Sequence, residues 1–318
     1  MASAAPYPPT PAERFDRYLE LLTKALGHAD RAEPLRFYCA GLLLPGERKS
    51  VEPMAARLSP GRVSATHQRM HHFVAASPWD EEQLLEAVRA YALPVFEAHG
   101  GVAAWVVDDT GMPKKGTHSV GVTRQYCGVL GKQENCQVAV SLSVVNERLS
   151  LPIAYELYLP ETWAEDGPRR QEAGVPASVT FRTKPQIALE QIARAVASGV
   201  PRGVVLADAA YGTNTEFREK VTELGLEYGV GVQPTVTVWP EGEGPARPTE
   251  HGGRGRPKRR LERDAEHKPQ TVRDYAIGHL KSRVRTVEWR QGSRGRMASR
   301  FAAARVRPAH RDDRLTQP

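Results

Sequence analysis

Residues 103–145 read AAWVVDDTGMPKKGTHSVGVTRQYCGVLGKQENCQVAVSLSVV, and residues 203–208 read GVVLAD. The first stretch opens with a short apolar run that stops at two acids, Asp108 and Asp109. QYCGVL and QVAVSLSVV follow as two more strands, the longer partly alternating and β-branched, with the turn-forming GKQEN between them. Three consecutive strands of this kind predict an antiparallel meander. Further along, Ile187, Leu189, Ile192 and Val196 recur on a helix over 183–198 that ends at Gly199 and leads into the buried strand GVVLAD. TEFREKVTELG (215–225) is a second helix and LEYGVGV (226–232) a further strand. The order from Ala103 to Val232 is therefore βββ-α-β-α-β, an α/β layered domain.

In a sheet of this order the first and fourth strands are neighbours. Asp108 or Asp109 at the end of one and Asp208 at the end of the other would then share a cleft at the strand C-termini, where open α/β sheets usually bind ligands. Clustered carboxylates raise each other's pKa unless a cation neutralises them. Mg²⁺ (or Mn²⁺), a hard ion preferring oxygen, is the natural counter-charge. Two such ions about 3.5–4 Å apart can activate water and stabilise the leaving oxygen of a phosphodiester. The plainer alternative is that Asp108 and Asp208 only start turns, as Asp often does after strands.

Before the sheet the chain reads as helical. Residues 1–12 are rich in Pro and Ala without periodicity, and Phe15, Tyr18, Leu22 and Ala25 then mark one apolar helical face ending near Gly27. SPWDEEQLLEAVRAYALPVF (77–96) offers Ser77 as N-cap and Pro78 as first helical residue, followed by acids in the first turn. Between these helices lie Arg57, Arg62, His67, Arg69, His71 and His72, read either as solvated surface or as ligands and DNA contacts. Beyond Pro234, WPEGEGPARPTEHGGRGRPKRRLERDAEHKPQ (239–270) reads as an exposed linker, and residues 284–290 and 301–307 alternate weakly as two more strands. The domain organisation expected is thus a helical region over 1–98, an α/β core over 99–235, a basic linker over 236–270 and terminal strands over 271–318.

The net charge of +7 is uneven: residues 251–318 hold 19 Lys and Arg against 7 Asp and Glu, leaving the first 250 residues net negative. A field that positive is either a solvated face or a surface for polyanions, nucleic acid above all. Lys114, Lys115 and Arg124 follow the first acids closely and can grip backbone phosphates or merely be solvated. Arg254-Gly255-Arg256-Pro257-Lys258, continued by Arg259 and Arg260, resembles a minor-groove hook. Three cysteines, Cys39, Cys127 and Cys136, without CxxC spacing argue against a disulfide framework or zinc site and point to a reducing cytoplasm. No apolar run approaches the ~18 residues that span a bilayer, and the first residues lack the apolar stretch of a signal peptide.

VDDTGMPKKGTHSVGVTRQYCGVLGKQENCQVAVSLSVV and VLADAAYG together resemble the core of IS701-type transposases, within the wider IS4-like DDE group. GLLLPGERKSVEPMAARL, HHFVAASPWDEEQLL, RGRPKRR and RFAAARVRPAHR are similar to that family too, so the likeness covers nearly the whole chain. The resemblance implies an RNase H-like fold and a metal-dependent transposase that acts on double-stranded DNA at terminal inverted repeats and target sites. It also implies three metal-binding acids, Asp, Asp and Glu, of which the first two match Asp109 and Asp208. Asp108 stays open as the ligand, because successive strand residues point to opposite faces and only one can face the cleft.

The family's Glu belongs to a helix downstream of RVRPAHR, in a Tyr-Arg-Glu-Lys pattern that has no match here. Glu288, the last glutamate, precedes that portion. The expectation is therefore a truncated or interrupted transposase that lacks the final catalytic helix and is inactive alone, forming a homodimer or pairing with full-length subunits. A non-catalytic DNA-binding fragment is the competing expectation. An aspartyl-phosphate phosphatase would need Asp-x-Asp-x-Thr, which VVDDTG does not supply.

Overall fold

The computed structural model describes residues 9–246, 267–293 and 295–309. The chain divides into two compact units, residues 1–206 with 220–228 and residues 207–219 with 229–318. The RGRPKRR segment and the last nine residues lie outside the described residues.

Five helices open the first unit: α1 (Pro11–Leu26), α2 (Ala32–Leu43), α3 (Val51–Leu58), α4 (Val63–Ala75) and α5 (Glu81–Ala98). α1 starts with a capping box between Thr10 and Glu13 and stops at Gly27, whose φ of 72° suits a residue without Cβ. Leu19, Leu22 and Leu26 on its inner face pack with Leu35 and Phe73. α5 begins later than its Ser-Pro signal suggests. Trp79 donates its indole N–H to Phe73 O (3.0 Å) and lies against the Phe73 ring, which keeps residues 77–79 out of the helix. The cap is instead Asp80, whose carboxylate accepts from the N–H groups of Glu82 (2.8 Å) and Gln83 (3.3 Å).

β1 (Ala104–Pro113), β2 (Thr123–Cys127), β3 (Lys132–Val145) and β4 (Ser150–Leu157) follow. After the short helices α6 (Glu161–Ala164) and α7 (Gly167–Glu172) come α8 (Lys184–Ala197), β5 (Val204–Ala207), α9 (Ala209–Gly212), α10 (Thr215–Glu223) and β6 (Tyr228–Val230). The sheet runs β2-β3-β1-β5-β6, with β4 also on β3. This is the mixed sheet behind a helical region that an RNase H-like fold requires.

The meander is not the one expected. β1 pairs with β3, from Ala104↔Val145 to Pro113↔Cys136, whereas β2 reaches only the first residues of β3. Length decides this: β3 is fourteen residues long and its Val138, Val140, Leu142 and Val144 are buried, while β2 has five residues. The third member of the antiparallel set is β4, a strand the sequence reading passed over. Asn146 makes its turn by accepting from the N–H groups of Arg148 (2.9 Å) and Leu149 (2.8 Å). Pro152 cannot donate to the ladder, and the β3–β4 register shifts between Leu142 and Ser143, where the partner changes from Ala154 to Pro152.

α8 forms as its pattern predicts. Thr183 and Gln186 make a capping box, Pro185 lies in the first turn, and Ile187, Ala188, Ile192 and Ala195 are buried. Gln191, also buried, donates Nε2–H to Val140 O (3.0 Å), tying the helix to β3.

In the second unit β7 (Thr237–Pro240), β8 (Gln270–Thr271) and β11 (Val306–Pro308) form a three-stranded sheet ordered β11-β7-β8, with α11 (Val272–His279) continuing from β8. The expected linker therefore begins with a strand, anchored by buried Val238 and Trp239. β9 (Arg285–Gly292) and β10 (Gly295–Phe301) form a separate two-stranded ribbon. The strand expected over 301–307 is thus two pieces, because β9 pairs with residues 295–301 and only Val306–Pro308 joins β7. Among the described residues no helix is long and apolar enough to cross a membrane.

Candidate functional site

Asp109 owes its setting to strand alternation. Trp105, Val107 and Gly111 on its side of β1 are buried, while Asp108 and Thr110 on the other side are exposed. Asp108 points away and accepts the Asp109 N–H on Oδ1 (2.8 Å). Asp109 instead meets the start of α8, where Lys184 Nζ donates to its Oδ2 in an ion pair with both side chains about a quarter exposed. The same ammonium lies 5.6 Å from the centre of the Tyr158 ring. Lys184 was not singled out in the sequence. The only available signal was a Lys just inside a capping box, at the end of a helix where positive charge is least favoured.

The loop leaving β1 is held at several points. Asn135 Nδ2 donates to Lys114 O (2.9 Å) and Gly116 O (2.8 Å), Gln137 Nε2 to Val120 O (2.6 Å) and Arg169 to Thr117 O (2.6 Å). Beneath it Trp163 is fully buried, donates to Val122 O (2.7 Å) and carries the Arg169 guanidinium 3.7 Å from its ring centre. Lys114 and Lys115 are therefore exposed side chains on a fixed backbone. Arg124 is exposed on β2, near enough to Glu134 to help hold that carboxyl below its usual range, after the Asn135 N–H and Lys132. Cys127 and Cys136 are buried free thiols at the far end of β1. Burial, then the neighbouring Cys127, pushes the Cys136 thiol above its usual pKa.

In the second unit Asp208 is the first residue past β5. It is exposed and caps α9, its Oδ1 accepting the N–H of Ala210 (2.8 Å). Turn-starting is thus something Asp208 does. The turn is tight: a Cβ on Gly212 would lie 2.1 Å from Gly231 O, and one on Gly231 would lie 2.9 Å from Ala209 N. Gly231 N–H in turn donates to Ala207 O (3.0 Å). Tyr211-Gly212, commonplace as a dipeptide, here fills a position only glycine fits.

The β9–β10 ribbon is exposed along nearly its whole length. It carries Val287, Trp289, Met297 and Phe301 uncovered, together with Arg285, Arg290, Arg296 and Arg300 against the single acid Glu288. Arg254, Arg256, Lys258, Arg259 and Arg260 lie outside the described residues. On α4 the His67 and His71 rings are 6.0 Å apart, and Arg69 is paired with Glu33. Among the described residues no three His, Cys, Asp or Glu side chains are grouped to hold a metal ion.

Residues 21–296 match the family model described as DDE superfamily endonuclease. The chain is also similar to a protein of Microchaete diplosiphon named "Probable transposase for insertion sequence element IS701", 30% identical over 230 residues. That match covers 72% of this chain and 56% of the relative, so the chain spans little more than half the length of the curated protein it matches.

Proposed function

Because the chain belongs to the DDE superfamily endonucleases, we propose that it acts in the cytoplasm on double-stranded DNA, cutting and joining strands at insertion-sequence ends. Endonucleases of this superfamily use divalent metal ions. In this reading Asp109 and Asp208 would each offer carboxylate oxygens to Mg²⁺ or Mn²⁺, which when bound would supply activation of water and stabilisation of the leaving oxygen of the phosphodiester.

The observation that carries the reading is strand order: β1, which bears Asp109, is the sheet neighbour of β5, after which Asp208 is the next residue. The donor set suits a hard cation, since both residues offer carboxylate oxygens. Asp109 moreover already holds a positive charge, the Lys184 ammonium. Asp108 faces the other side of the strand and is not part of the proposal. The chain's own residues do the rest. The pinned loop presents Lys114 and Lys115 to backbone phosphates on a backbone already ordered, so that the ordering cost at binding falls on the side chains. The arginines and aromatics of β9–β10 supply a second basic surface, suited to phosphates and to stacking with bases.

The absence of a three-acid group among the described residues favours a second reading, in which the chain binds DNA without cutting it. One experiment separates the two: incubation with a labelled duplex carrying the terminal repeats that flank its gene, with and without Mn²⁺. Mn²⁺-dependent nicking that falls to background in D109N and D208N, while duplex binding persists, is the expected result. Binding without nicking by the parent chain would establish the second reading.

A further inference from the structure

Lys184 is in a place that local electrostatics does not favour. It lies in the first turn of α8, whose free N–H groups carry the positive end of the helix dipole, and Thr183 and Gln186 already cap that end without it. Its charge is balanced from the sheet side, by Asp109 Oδ2 and by the face of Tyr158. Both partners of the ion pair are about a quarter exposed, 26% for Lys184 and 27% for Asp109, so water screens them less than it does a surface pair. The other basic residue of this segment, Arg182, is paired elsewhere, with Glu156 and Glu190.

An ammonium and a divalent ion held by one carboxylate compete for it, because sharing it would bring two positive charges into near contact, where they repel. From this geometry we infer that Lys184 is the resident counter-cation of Asp109, exchanged for the divalent ion when metal loads. Lys184 is then a positioning residue with two consequences. It keeps the Asp109 carboxylate ordered and charge-balanced before metal arrives. It also raises the metal concentration needed for loading, because each ion entering at Asp109 displaces it. This inference rests on the proposal that Asp109 is a metal ligand.

The test uses the full chain and Mn²⁺ alone, with bound ion followed by loss of the free-Mn²⁺ electron paramagnetic resonance signal. K184M keeps the stem and removes the charge, and should bind Mn²⁺ about fivefold more tightly, the scale of one partly exposed ion pair. K184R retains a cation and should stay within about twofold of the parent, while D109N/K184M should lose the gain. A second measurement needs no substitution at position 184. Acylation of lysines by an N-hydroxysuccinimide ester, read by mass spectrometry, should be slow at Lys184 in the metal-free parent, faster with saturating Mn²⁺ and already fast in metal-free D109N.

Mn²⁺ binding that D109N abolishes but K184M leaves unchanged or weakens would overturn the exchange while leaving Asp109 as a ligand. Lys184 acylation that Mn²⁺ does not alter would do the same. Absence of Asp109-dependent binding in both the parent and K184M would overturn the metal assignment and the exchange together.

Discussion

Gly212→Ala isolates the turn that holds Asp208. The new Cβ would lie 2.1 Å from Gly231 O, 2.6 Å from Val230 Cβ and 2.7 Å from Val230 Cγ2. Carbon–oxygen contacts settle at about 3.3–3.6 Å, so a backbone carbonyl rather than a flexible side chain must retreat by more than about 1 Å. Overpacking of this kind costs about 1–3 kcal/mol, and an obstructing backbone puts this case at about 3 kcal/mol. Against it stands the better helix propensity of alanine, worth about 1 kcal/mol in α9. The net destabilisation is about 2 kcal/mol, a fall in midpoint of about 3 °C for a chain of 318 residues at about 2.1 cal/mol/K each. Circular dichroism melts of G212A beside G116A provide the measurement. A Cβ on Gly116 meets nothing within 4 Å, so G116A should stay within about 0.5 kcal/mol of the parent. G212A should also bind Mn²⁺ more weakly, since the carbonyl that must move belongs to the residue packed against the Asp208–Ala209 backbone. A G212A melt at or above that of the parent would refute the close approach of Gly212 to Gly231 and the argument for how Asp208 is held.

Trp163→Ala removes a fully buried ring, its bond to Val122 O and the seat of Arg169. It should cost about 3–5 kcal/mol in urea unfolding and open the 114–122 loop to limited proteolysis; an unchanged cleavage pattern would separate the loop from its support. For the thiols the sign follows from burial: Cys136 titrates above its usual value of 9.0 in the folded chain, and Cys39 is raised for the same reason. Their contribution to stability is intact below that value and lost as pH rises through the raised folded value. The urea midpoint should therefore decline from about pH 8 to about pH 10, less steeply in C136A. Ellman's reagent should find Cys127 and Cys136 only after unfolding, and prompt reaction in the native chain would contradict their burial.

Much of the sheet was readable because periodicity is local. β1, β3, α8 and β5 each announce themselves within about fifteen residues, and the adjacency of β1 and β5 follows from their order. Failures came where a distant partner decides. β4 carries Pro152 and follows a polar turn, so its sequence looks like a loop until the long edge of β3 is there to receive it. β7 sits in a Pro- and Gly-rich stretch and becomes a strand by pairing with β8 and β11. Asp80 displaced Ser77 as cap because Trp79 is drawn onto Phe73. Lys184 was the least visible: its partner Asp109 stands seventy-five residues earlier, and nothing in TKPQ says which acid it meets.

Turn-starting and metal binding look like rival explanations of Asp208, yet the geometry makes them compatible. Capping α9 occupies Oδ1 with one N–H, whereas an ionised carboxylate has about four lone-pair sites. The cap fixes the side-chain torsions, and the Gly212–Gly231 approach fixes the backbone on which the side chain stands. A ligand needs that kind of support, because a carboxylate ordered before the ion arrives loses little conformational freedom when it binds. Asp109 is supported differently, its backbone by β3 through the Thr110 and Asp108 neighbours and its side chain by Lys184. The difference yields an asymmetry: D208N keeps a capping oxygen and should fold as the parent does, whereas D109N leaves Lys184 without its anion at the start of α8. Loss of metal binding without loss of stability is therefore the signature expected of D208N, and a D208N chain destabilised as much as D109N would mean that capping was the larger part of its role.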